Sequence, residues 1–171
     1  MTQHENGDAS AAAGTTERFV GMADARRAID RVIASAHRTL RIFEPDLADP
    51  GYRSIERIGL IEAFLAAGRG NRIRIVLHEI RQLERECPRI LALLRYHSHA
   101  MEIRMTVDSA RNAHDALVIA DEHSYWHRAH VGQPRSIAVL DDAAATAPWA
   151  GRFEEIWESS DAAVSATVLG L

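Results

Sequence analysis

The sequence predicts an α/β fold, a mixed sheet flanked by helices, and three observations carry that prediction. Over roughly the first hundred residues, segments with apolar residues at helical spacing alternate with short runs patterned as strands. Capping residues, glycine and proline stand where those segments should start and stop. Three short apolar runs then follow one another closely before a last helical segment, as antiparallel strands added to a parallel sheet would.

The elements follow in order. Residues 1–17 are rich in Ala, Gly, Thr and polar side chains without periodicity, and read as a disordered tail ahead of one domain over 18–171. From Asp24 to Ala36, the residues Ala25, Ala28, Ile29, Val32 and Ile33 make one helical face, with Asp24 as the expected N-cap. Thr39 to Phe43 alternates as a strand, and Glu44-Pro45-Asp46 ends it. Ser54 caps a second helix through Ala67, which Gly68 and Gly70 stop. Arg72 to His78 is a strand, half alternating and half continuously apolar, as a largely buried strand is. Ile80 to Tyr96 reads as helix, with Pro88 starting a new turn or kinking it. Met101 to Val107, Ala116 to Ala120, Ser124 to His130 and Ser136 to Leu140 read as strands. A helix from about Ala147 to Ser160 closes the chain, with Pro148-Trp149 at its start and Phe153, Ile156 and Trp157 as its apolar stripe.

Composition bounds the function. A chain of 171 residues with 47% apolar content forms one core of ordinary size. No apolar run reaches the roughly 18 residues of a membrane span, and the polar start lacks a signal-peptide core, so a cytoplasmic location without membrane contact is expected. A formal charge of −4 makes nucleic acid an unlikely partner. Cys87 is the only cysteine, which excludes an internal disulfide and a multi-cysteine zinc site.

All 20 cations are arginine. Chemistry that requires a lysine amine is therefore excluded, and anion binding falls to arginine or histidine. His97, His99, His114, His123, His127 and His130 crowd one third of the chain, yet His123 and His127 on a strand stand about 13 Å apart, too far to share an ion. No metal and no cofactor is expected. Neither a dinucleotide-binding glycine loop nor a Gly-x-Ser-x-Gly elbow is present.

The stretch Asn112 to Asp121 reads His114-x-Ala116-x4-Asp121, a histidine before an apolar strand that ends in a carboxylate. It resembles the His-x-Lys-x4-Asp signature of the phospholipase D superfamily of phosphodiesterases, with alanine where that signature has lysine. The resemblance covers roughly residues 18–160 and includes the aromatic helix around Phe153-Glu154-Glu155-Ile156-Trp157. It implies one phospholipase D-like lobe. In that family the histidine attacks phosphorus, a second histidine from another copy of the motif protonates the leaving oxygen, lysine binds the phosphate, and aspartate supports. His114 then corresponds to the nucleophile and Asp121 to the aspartate. Family members often continue with Gly-Ser-x-Asn, where this chain has Arg128-Ala129-His130-Val131.

Loss of a fixed phosphate clamp costs orders of magnitude in rate. The resemblance therefore implies a catalytically degenerate site, in a domain that binds a phosphate-containing ligand near His114, Asp121, Arg128 and His130 or serves as a regulatory module. Two alternatives stay open. On a strand, Arg128 and His130 share a face, so Arg128 could replace the lysine in a homodimeric phosphodiesterase or nuclease that uses His114 twice. A structural domain that acts by binding a partner protein is the other.

Overall fold

The computed structural model describes residues 14–164. Eight strands form one mixed sheet in the order β1-β7-β6-β5-β2-β3-β4-β8. The strands are β1 (Thr15–Val20), β2 (Thr39–Glu44), β3 (Arg72–Leu77), β4 (Met101–Thr106), β5 (Ala116–Ala120), β6 (Ser124–Arg128), β7 (Arg135–Leu140) and β8 (Ser160–Val164). The helices are α1 (Met22–Ala34), α2 (Ile55–Ala67), α3 (Leu83–Glu86), α4 (Pro88–Tyr96) and α5 (Ala143–Glu158), with 3-10 turns at Pro50–Arg53 and Asp108–Asn112. Strands β2, β3 and β4 are parallel, and the other pairings are antiparallel.

Side-chain alternation divides the core into two layers. Leu40, Ile42, Ile73, Ile75, Val118 and Trp126 pack against α1, α2 and α4 on one face. Phe43, Val76, Leu117, Ile119 and Tyr125 pack against Phe153, Ile156 and Trp157 of α5 on the other. Central strand β5 is buried along its whole length, which is why it reads as an unbroken apolar run. Among the described residues, no helix is long and apolar enough to cross a membrane.

Several boundaries differ from expectation for local reasons. Residues 15–17, read as tail, lie in β1, an edge strand with both faces largely open; its backbone pairing with β7 leaves no hydrophobic period to read. Residues 1–13 of that tail lie outside the described residues. Helix α1 begins at Met22 rather than at Asp24, because Gly21 adopts φ 116°, a turn that glycine makes without strain, and Asp24 sits in the first turn paired with Arg27.

The expected helix over Ile80–Tyr96 is two helices broken at Cys87, ahead of Pro88. Helix α5 starts at Ala143, capped by Asp142 accepting from the Ala145 amide at 2.9 Å, so Pro148 lies inside it. Strand β8 follows directly where the sequence reads as the end of that helix.

Candidate functional site

The carboxyl end of β2 is the natural place for a site in a sheet with this parallel core. There Glu44 ends β2, Ala116 opens β5, and Arg128 closes β6 directly opposite Ala116. Ala116 and Arg128 are thus cross-strand neighbours on one face. Two residues further out on each strand, the His114 carbonyl accepts from the Val131 amide at 2.8 Å, and its ring stacks on His130 with centroids 5.5 Å apart and planes 30° off parallel. Both histidines are exposed. The Nδ1 of His130 accepts the Gly132 amide at 3.0 Å.

The segment that carries His114 is tethered from behind by a residue the sequence did not single out. His78, just past β3, bridges the Thr106 hydroxyl and the Ala113 carbonyl, each at 2.7 Å, and stands edge-on to Phe43. Asp115 turns to the opposite face. There it accepts two bonds of 2.7 Å from Arg152 and lies 3.7 Å from His127, whose ring stacks on Trp149. Burial alone would raise the Asp115 pKa, but the bonds from Arg152 and His127 outweigh it and hold the carboxyl well below the usual range.

Arg128 is the most unusual group at the site. Only 8% of it is exposed, yet its Nη1 has just the Met22 sulfur at 3.1 Å, its Nη2 stands 3.8 Å from Glu44, and its Nε has no hydrogen-bond partner. Its guanidinium lies 5.6 Å from the centroid of the Trp126 ring, whose buried Nε1 is also unpartnered. Glu44 is a weak counter-ion: burial pushes its pKa up to about 7, against the opposing pull of Arg128, and its Oε1 accepts from Tyr52 at 3.3 Å.

Behind Tyr52 lies Arg57, completely buried, 4.6 Å over the tyrosine ring and bonded to Asp30 at 2.6 Å and to the Arg26 carbonyl at 3.0 Å. Gly51 packs directly against it, and a Cβ there would come within 2.6–2.7 Å of that guanidinium and displace it. The only hint of this buried network in the sequence is a carboxylate, Glu44, that closes an apolar run.

Asp121 does not belong to this cluster. It lies at the other end of β5, roughly 20 Å away by strand rise. There it accepts from the backbone amides of His37, Arg38 and Thr39 at 2.8, 2.7 and 2.8 Å, at φ 52°. The structure therefore brings His114, His130, Ala116 and Arg128 together and separates Asp121 from them. Among the described residues, no group of three or more His, Cys, Asp or Glu side chains could hold a metal ion.

This fold is phospholipase D-like. It is similar to the phospholipase D family member Nuc from Salmonella typhimurium, with a TM-score of 0.59 and 16% identity over 88% of this chain and 100% of that one. NucT from Helicobacter pylori gives a TM-score of 0.58 and 14% identity over 88% and 99%. TrmBL2, an archaeal chromatin protein whose structure shows a novel mode of DNA binding, gives 0.63 and 14% over 86% of this chain but only 54% of its own length. By sequence, the chain belongs to the family described as a domain of unknown function (DUF7931), whose model matches residues 21–167. No curated protein matches it.

Proposed function

We propose that this domain is a catalytically degenerate phospholipase D-like module, located in the cytoplasm, that binds a phosphate-containing ligand over Arg128 beneath His114 and His130 and acts in regulation. The observation that carries the reading is a buried guanidinium with no good acceptor. A buried cation is costly unless paired, and Glu44, half protonated near neutral pH, pairs with it poorly. An incoming phosphate would supply the missing acceptors. The net charge of −4 favours a small phosphate compound over a nucleic acid.

Two features support binding over turnover. The lysine of the signature is absent, and Arg128 is partly engaged by Glu44 and Met22. In-line displacement at phosphorus needs attacking and leaving groups on opposite sides, whereas stacked imidazoles present their faces to each other.

The test is calorimetry with inorganic phosphate, run beside hydrolysis of an aryl phosphodiester. Phosphate is expected to bind, to lose roughly 10- to 100-fold in affinity in Arg128→Met, and to draw a proton onto Glu44, seen as buffer-dependent heat near pH 7. Hydrolysis is expected to match background in both the parent and His114→Ala. Turnover lost in His114→Ala would instead establish the phosphodiesterase reading. Absence of phosphate binding would leave the interaction-domain reading.

A further inference from the structure

Two of the three large apolar side chains most exposed among the described residues, Ile55 at 72% and Tyr96 at 82%, border one groove between α2 and α4. Its volume is about 340 Å³ and its floor includes Ile58 and Leu93, both buried. At its centre is Gly59, in the interior of α2, where a Cβ would meet nothing within 4 Å. Glycine weakens a helix interior relative to alanine, and no contact among the described residues requires it here. A bare stretch of helix backbone is what a closely packed helix from outside needs.

The groove also carries one acid and one base without ion-pair partners among the described residues. These are Glu62 on α2 and Arg89 on α4, and Arg89 makes only a 3.4 Å bond to the Arg53 carbonyl. Ile55 and Gly59 are four residues apart on the same helix, so they share one stripe. If two copies of α2 meet antiparallel about residue 57, Ile55 of each falls on Gly59 of the other. The same antiparallel register brings Glu62 of one copy toward the amino-terminal end of α2 in the other, where Arg89 lines the groove and bonds the Arg53 carbonyl. Knob, hole and opposite charges are all self-complementary under one two-fold axis.

We infer that the α2/α4 face is an isologous interface on which a second copy of this chain docks, Ile55 over Gly59 and Glu62 against Arg89. Neither helix carries His114 or Arg128, so this pairing is independent of the phosphate site and differs from a dimer that would join two His114 residues. The two helices offer roughly 400 Å² per copy by helix length and diameter. The total of about 800 Å² is smaller than a standard stable interface, so the association is weak and depends on concentration.

Sedimentation equilibrium of the parent from about 10 µM to 1 mM is expected to show mass rising from monomer toward dimer, a range that suits an interface of this size. Glu62→Arg and Arg89→Glu should each weaken association at least tenfold. The double reversal Glu62→Arg/Arg89→Glu should restore it, and Gly59→Leu should abolish it while the melting temperature stays near that of the parent. A parent that is monomeric at every concentration would overturn the proposal and leave the face to another occupant. Dimerisation that ignores these substitutions, or that the double reversal fails to restore, would overturn it as well.

Discussion

The two ends of strand β5 solve opposite problems. At one end Asp121 is a buried charge with every need met, accepting three backbone amides in a loop that it shapes. At the other, Arg128 is a buried charge with few needs met, opposite Ala116. The first reads as architecture and the second as an unfilled place. Asp121 can therefore persist for folding alone, and its presence says little about catalysis. What bears on function is the pairing of acceptors with donors at the far end.

The largest expected effect breaks the architectural end. Asp121→Ala removes three charge-assisted bonds and strands their amides, which should cost about 3 kcal/mol or more in urea unfolding. Asp121→Asn should cost less, because one carboxamide oxygen still accepts. Burial raises the Asp121 pKa, but the amides of Thr39, His37 and Arg38 lower it overall. A carboxyl with a lowered folded pKa contributes fully above the ordinary carboxylate range and loses that contribution as pH falls through the folded value. Acid should accordingly reproduce part of the Asp121→Ala defect. A stability loss under 1 kcal/mol would remove the contrast between the two ends.

Glu44 should behave in the reverse sense. Its folded pKa, about 7, lies above the ordinary carboxyl value of 4.5, so the folded state holds a proton that the unfolded state releases between those values. Stability from this group is therefore highest below about pH 4.5 and declines as pH rises to 7 and beyond. A shift of that size is worth about 3 kcal/mol. Glu44→Gln should consequently stabilise the protein at pH 8, by an amount of that order, and flatten its stability profile between pH 5 and 8. A destabilising Glu44→Gln at pH 8 would mean that Glu44 and Arg128 form a sound ion pair, and the argument for an open phosphate place would fall.

This contrast also explains what the sequence made legible. The strands β2, β3, β5 and β6 and the helix α2 were readable because burial imposed a period on them, and Ser54 marked a cap that the structure uses through the Arg57 amide at 3.1 Å. The strands β1 and β8 were not, since edge pairing is a matter of backbone bonds and leaves side chains free to vary. At the site, His114, Arg128 and His130 were legible through spacing and alternation. Glu44, Tyr52, Arg57 and His78 were not, because they come from four separate segments, and only folding brings them together.

A smaller effect lies on the opposite face, where Asp115 and Arg152 form a paired bond next to the site. Arg152→Ala should cost about 1–2 kcal/mol, discounted because the arginine is partly exposed, and most of that cost is the carboxylate left buried. The loss should shrink on acidification, because Asp115 deprived of Arg152 takes up a proton in the folded variant while the parent's stays ionised, and thermal melts at pH 7 and pH 3 would reveal it. An unchanged penalty at both values would mean that packing against α5, rather than charge, is what Arg152 supplies.

The smallest expected effect on stability is the most informative about function. His114 is exposed, its ring makes no hydrogen bond among the described residues, and its one ring contact is the stack on His130. His114→Ala should therefore change the unfolding free energy by less than about 0.5 kcal/mol. Phosphate that binds only the folded state raises the melting temperature with the logarithm of its concentration over Kd, so the parent should melt higher in phosphate than in chloride at matched ionic strength. If His114 lies over the phosphate with Arg128 beneath, the phosphate increment should shrink in His114→Ala while the melt in chloride stays where it was. An increment that survives intact would move the ligand off the histidine pair and leave Arg128 to hold it alone.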